Sequence, residues 1–194
     1  VSIAMTAMLD PGDEVLVPNP SWLHYFYCAE LCGAKTVSYP LLEENEFNVQ
    51  IEDIEHLITP KTKMIIVNSP NNPTGSVLTI ESLEKIAKIA KDNNLIILSD
   101  EIYEKLLYDG SKHTSIASLP GMEERTIIIN GVSKAYAMTG WRIGFVASKN
   151  PEFISAMIRV LQYTVTCAAS VSQYAALAAL EGPQECTEEM RVQF

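Results

Sequence analysis

Basic charge is what this sequence is short of: 14 lysines and arginines stand against 24 aspartates and glutamates, a formal net charge of −10. So acidic a chain offers no basic patch for a phosphate backbone or an anionic bilayer, and neither nucleic acid nor membrane is expected as a partner. No apolar run reaches the roughly 18 residues of a membrane span. Cysteine is scarce and forms no framework. Cys28 and Cys32 are a helical spacing apart in an aromatic segment and Cys167 and Cys186 stand alone, so all four read as small buried residues, which fits a cytoplasmic origin. His24, His56 and His113 share no metal-ligand spacing with one another or with cysteine, so no metal site is expected. Repeats and low-complexity linkers are missing as well. The opening VSIAMTAML lacks both the basic start of a signal peptide and an initiating Met. It reads as the back half of a helix, and the chain as part of a longer one.

What is present is a 194-residue chain, 47% hydrophobic, long enough to bury a sizeable core. Strand and helix patterns alternate along it. Strands are expected at Glu14 to Val17, Lys35 to Leu41, Met64 to Val67, Leu95 to Leu98, Thr126 to Ile129 and Ile143 to Ala147. Helices are expected from Ser21, as N-cap, to Leu31, over Val49 to Ile58, after a Thr79 cap, over Pro151 to Gln162 and over Ser170 to Glu181. In the helix after Thr79, Leu83, Ile86, Ala87 and Ala90 form one apolar stripe. The fold class is therefore α/β, a mostly parallel sheet with helices on both faces. Thr126 to Ile129, β-branched and wholly apolar, is expected to be buried on both faces, with Gly140 turning the chain into the next strand.

The chemistry lies just beyond the end of each strand, because such sheets bind ligands outside the carboxyl ends of their strands. After Val67 comes NSPNNPTG, after Leu98 comes SDEIY, and after Ile129 come Asn130, Gly131, Ser133 and Lys134. Taken singly, each has a plain reading: a connecting turn, a helix cap made by Ser99 or Asp100, a solvated surface lysine. Together they deliver an amide, a carboxylate with a phenol, and an amine to one crevice. Pyridoxal phosphate needs that set: a lysine for its aldehyde, a carboxylate to keep its pyridine nitrogen protonated, and donors for its ring oxygen. Its phosphate needs an arginine or a helix N-terminus, and Arg142 stands eight residues after Lys134.

With DPGDEVLVPNPSW, NSPNNPTG, LSDEIYE and NGVSKAYAMTGWRIGF in this order, the chain resembles the class I, aspartate-aminotransferase-like aminotransferases of pyridoxal-phosphate fold type I. The resemblance covers essentially the whole chain. It implies that Lys134 carries the cofactor as a Schiff base and moves the substrate proton. Asp100 is then the partner of the pyridinium nitrogen, Asn72 and Tyr103 the donors to the ring oxygen, and Arg142 the phosphate ligand. Trp22 matches the aromatic residue stacked on the cofactor ring, its plain alternative being a core or interface aromatic. In many relatives a serine three residues before the lysine binds phosphate; here that position is Gly131, and Ser133 is a possible substitute.

The resemblance also implies a parent roughly twice as long with two domains. Residues 1–194 would be the central part of its large domain, without the N-terminal segment and the C-terminal small domain. One further strand would flank 143–147. The implied activity moves an amino group from an L-amino acid to a 2-oxo acid by a ping-pong mechanism in a homodimer. A lyase or synthase on the same scaffold, or a cofactor-binding fragment without turnover, are the alternatives.

Overall fold

The structure, a computed structural model, describes residues 1–193. Six strands, β1 (Glu14–Asn19), β2 (Lys35–Pro40), β3 (Thr62–Asn68), β4 (Ile96–Asp100), β5 (Thr126–Gly131) and β6 (Gly144–Ala147), form one sheet in the order β2-β1-β3-β4-β5-β6. All neighbours are parallel except β5 and β6, which run antiparallel. Among the described residues seven α-helices accompany them: α1 (Ser2–Met8), α2 (His24–Leu31), α3 (Ile51–Glu55), α4 (Ile80–Asp92), α5 (Pro151–Thr164), α6 (Ser170–Glu181) and α7 (Glu185–Gln193).

The central strands β1, β3 and β4 are buried along most of their length because both faces of the sheet are covered there, and successive side chains point to opposite sides. Leu16, Ile65, Val67 and Ile97 join Leu83, Ile86 and Ala90 of α4 in one core. Val15, Val17, Met64, Ile66, Ile96 and Leu98 join Met5 of α1, Tyr25 and Ala29 of α2 and Met157 of α5 in the other. Helix α4 starts where Thr79 Oγ1 accepts the Ser82 N–H at 3.2 Å. Thr79→Ala is expected to cost about 1 kcal/mol, read as a lower denaturant midpoint with an unchanged slope. An unaltered midpoint would show that the apolar stripe alone sets this terminus.

Several expectations need correction. Helix α2 begins at His24, not Ser21; the Ser21 hydroxyl is buried without a partner and caps nothing. The chain enters the helix through a tighter turn, with the Tyr25 N–H on the Trp22 carbonyl at 3.1 Å and the Phe26 N–H on the Leu23 carbonyl at 3.2 Å. The helix expected over 49–58 is only Ile51–Glu55, because His56 Nδ1 lies 2.7 Å from the Glu52 carbonyl that the next helical amide would take. Its apolar residues still serve the core, Ile54 fully and Ile51, Leu57 and Ile58 in part.

Ile127 is buried, but Ile128 and Ile129 are only half-buried, since the neighbouring β6 is an exposed edge strand. Entry to β6 is turned by Arg142, at φ +53°, rather than by Gly140. The cysteines are all free; Cys28 and Cys32 are half-buried, while Cys167, on the connection after α5, and Cys186, in the first turn of α7, are exposed. Among the described residues no helix is long and apolar enough to cross a membrane.

Candidate active site

The carboxyl ends of β3, β4 and β5 lie side by side at one edge of the sheet, the edge at which this architecture accepts a ligand. A cavity of about 490 Å³ occupies it. Register puts the ends of the central strands side by side: Asn68 of β3 is opposite Asp100 of β4, and Asp100 is opposite Ile129 of β5. All seven residues singled out from the sequence line this cavity: Trp22, Asn72, Asp100, Tyr103, Ser133, Lys134 and Arg142.

Asp100 is at the floor, only 4% exposed. Its Oδ2 accepts from the Tyr25 hydroxyl at 2.8 Å, and its Oδ1 from the Ile102 N–H at 3.3 Å. Burial pushes the carboxyl above the usual carboxylate range, and these two hydrogen bonds pull against it. No lysine, arginine or histidine side chain among the described residues pairs with it. Tyr25 is itself 1% exposed; burial first, and the Asp100 charge second, raise its phenol far above the ordinary value, so it remains a donor.

Lys134 is exposed, at the start of the turn after β5, and its Nζ lies 5.4 Å from the centre of the Tyr103 ring. Asn72 is held by its own backbone: its N–H donates to Asn68 Oδ1 at 2.9 Å, while Asn68 Nδ2 donates to the carbonyls of Pro70 and Asp100, both at 3.1 Å. Asn68 thus ties the loop after β3 to the end of β4. Trp22, 38% exposed, stacks on His24 with ring centres 4.3 Å apart and meets Tyr25 edge-on. Arg142 is exposed, and its Nη1 donates to the Thr139 carbonyl at 2.9 Å.

Gly131 has a steric explanation. A Cβ there would stand 3.0 Å from Gly144 Cα and 3.0 Å from the Ile143 carbonyl oxygen, so the approach of β6 leaves no room for a side chain. Ser133, half-buried on the cavity wall, is the serine this stretch presents.

Tyr25 and Asn68 are residues that sequence reasoning missed. Tyr25 stands three residues after Trp22, a spacing that places both on one side of a helical turn, and Asn68 is the last residue of its strand; those were the available signals. On the other side of β4, Glu101 Oε1 accepts from Ser99 at 3.0 Å and from Ser115 at 2.6 Å, and its Oε2 lies 3.0 Å from His113 Nε2. That cluster fastens the segment after Tyr103 to the sheet.

The Tyr25 contact is testable. Tyr25→Phe keeps the ring and removes a donor from a buried carboxylate, so it is expected to cost about 1–3 kcal/mol in urea unfolding at neutral pH. Equal midpoints for the two proteins would mean that this bond holds nothing.

The donor set fits pyridoxal phosphate. A buried carboxylate without a side-chain cation faces the same cavity as an amine, an arginine and an indole, a set that suits a flat ligand carrying both a cationic and an anionic group. Comparison with known proteins agrees. The family "Aminotransferase class I and II" matches residues 1–194. The chain is 47% identical over 197 residues to aromatic-amino-acid aminotransferase 2 of Thermococcus litoralis, covering 100% of this chain and 50% of that protein. It is 47% identical over 194 residues to the aspartate aminotransferase of Pyrococcus abyssi, covering 99% and 50% respectively.

Among solved structures, an aromatic aminotransferase from Pyrococcus horikoshii superimposes with a TM-score of 0.94 at 45% identity, over 98% of this chain and 51% of that one. The chain spans about half the length of the curated relatives it matches. With the family matched from end to end, and with relatives near half identity that share its parallel sheet, the chain belongs to the class I and II aminotransferases.

Proposed function

We propose that residues 1–194 are the central, cofactor-binding part of the large domain of a pyridoxal-phosphate-dependent aminotransferase. The reaction passes the amino group of an L-amino acid to a 2-oxo acid in two half-reactions. The observation that carries this reading is the convergence of Asp100, Lys134, Tyr103, Asn72, Arg142 and Trp22 on one cavity. When bound, the cofactor supplies an electron sink for charge developing at the substrate α-carbon. Lys134 would hold the cofactor through its amine, and the same amine would take and return the substrate α-proton. Asp100 would keep the ring nitrogen protonated, Asn72 and Tyr103 would donate to the ring oxygen, Arg142 with Ser133 would take the phosphate, and Trp22 would pack against the ring.

Homodimeric assembly and a cytoplasmic setting belong to the same proposal. Ile158, Tyr163, Tyr174 and Leu177 offer exposed apolar surface for the first, and four unpaired cysteines fit the second. The direct experiment is to load the protein with pyridoxal phosphate, reduce with borohydride and map the modified peptide. Label confined to Lys134 supports the reading, whereas label scattered over surface lysines sinks it.

A further inference from the structure

The turn that carries Lys134 and the turn that carries Tyr103 are built alike. Lys134 is the first residue of a turn closed by the Ala137 N–H on the Lys134 carbonyl at 3.1 Å. Tyr103 is the first residue of a turn closed by the Leu106 N–H on the Tyr103 carbonyl at 2.8 Å. The third residues of the two turns meet: Lys105 Nζ donates to the Tyr136 hydroxyl oxygen at 2.6 Å. The two first residues face the cavity together.

A third residue closes the arrangement. Gln184, between α6 and α7, accepts through Oε1 from Lys105 Nζ at 2.9 Å and from the Tyr136 hydroxyl at 2.8 Å. Its orientation is settled independently, because Nε2 donates to the carbonyls of Gly182 at 2.7 Å and Ala179 at 3.0 Å. Those carbonyls belong to the end of α6, where the helix dipole favours a nearby cation such as the Lys105 ammonium. Tyr136 is the stiff member: it is 9% exposed, packed with Val132, Ala135 and Ala176, and the Lys105 ammonium sits 5.0 Å from its ring centre.

The Lys134 turn needs a hold from outside. Ala137 lies at φ +52°, a left-handed conformation that alanine rarely adopts without support from its surroundings. Lys134 makes no side-chain hydrogen bond or ion pair among the described residues, so apart from the Tyr103 ring 5.4 Å away its place is set by its backbone. We propose that Lys105, Tyr136 and Gln184 form a tie that fixes the spacing between Lys134 and Tyr103, making Lys105 and Tyr136 positioning residues for the reaction. This deepens the functional reading above and rests on it.

The test is amide exchange across the two turns, paired with a spectroscopic titration. Tyr136→Phe keeps the buried ring but cuts both hydroxyl bonds; Lys105→Met cuts the tie from the other side and keeps the stem. Each variant is expected to speed exchange of the amide in the opposite turn, Leu106 for Tyr136→Phe and Ala137 for Lys105→Met, by about tenfold. In protein loaded with pyridoxal phosphate, both are expected to move the apparent pKa of the visible absorption in the same direction by about half a unit. The double variant should match the singles rather than add to them.

Exchange confined to each variant's own turn overturns the tie. Coupled exchange with an unmoved titration leaves a structural clamp and overturns the positioning role. Borohydride labelling of the parent protein reads the underlying site separately: if Lys134 is not the labelled residue, the site reading falls and the positioning role with it, whatever the exchange shows.

Discussion

Lys134→Ala is expected to remove all borohydride-stable labelling by pyridoxal phosphate and to slow exchange of a substrate α-proton by on the order of 10²–10⁴-fold, the usual worth of a positioned general base. The fold gives this result its meaning. Lys134 is exposed and makes no hydrogen bond or ion pair among the described residues, so its removal is expected to change stability by no more than about 0.5 kcal/mol. Function and folding are thus separable at this position. The thermal midpoint should stay with that of the parent while the label disappears. Labelling that persists at the parental level would move the assignment to another lysine; Lys105, held by Tyr136 and Gln184, does not line the cavity.

Much of this arrangement could be read from the sequence because its determinants are local. Apolar β-branched runs mark β3 and β4, the 3.6-residue stripe and the Thr79 cap mark α4, and the residues after each strand had to fall at the carboxyl edge of a parallel sheet. The placing of Asp100, Asn72, Tyr103 and Lys134 around one cavity is therefore legible in the sequence. What could not be read depends on contacts distant in sequence. The Tyr25 hydroxyl finds Asp100 across 75 residues, and Tyr136 finds Gln184 across 48, without leaving any periodic trace.

The same reason explains the misjudged elements. The helix expected over 49–58 is cut short when an imidazole reaches the Glu52 carbonyl, a choice helical propensity does not encode. The left-handed turn falls on Arg142 rather than Gly140, although glycine is the freer residue there. Burial of Ile128 and Ile129 is incomplete because the identity of a strand's outer neighbour is a property of topology.

Asp100→Asn is expected to have effects of opposite sign without and with the cofactor. Without it, the parent protein keeps a carboxylate at 4% exposure that no side-chain cation pairs with, and burial raises its pKa above the ordinary 3.8. A raised pKa means that the folded state holds this proton more tightly than the unfolded state does. This group's contribution to stability therefore falls as pH rises from 3.8 through the raised value, and stays lowered above it. The amide of asparagine carries no charge to desolvate, and its oxygen still accepts the Tyr25 hydroxyl. The loss is the bond from Ile102, which is long at 3.3 Å. Desolvation of charge outweighs one marginal hydrogen bond, so the cofactor-free variant should melt higher than the parent at neutral pH, and the gap should close on acidification. With pyridoxal phosphate present the order reverses, since the parent gains a cationic ring nitrogen beside its carboxylate and the variant does not. The stabilisation gained on loading should be smaller in the variant, because it scales with the logarithm of affinity; on the proposed function, the same change in the full-length enzyme should slow transamination by on the order of 10²–10³-fold. A variant less stable than the parent without cofactor, yet equally stabilised by it, would make Asp100 a structural cap for the chain after β4. The crossing of the two orders is the result that only a buried charge awaiting a cationic ligand produces.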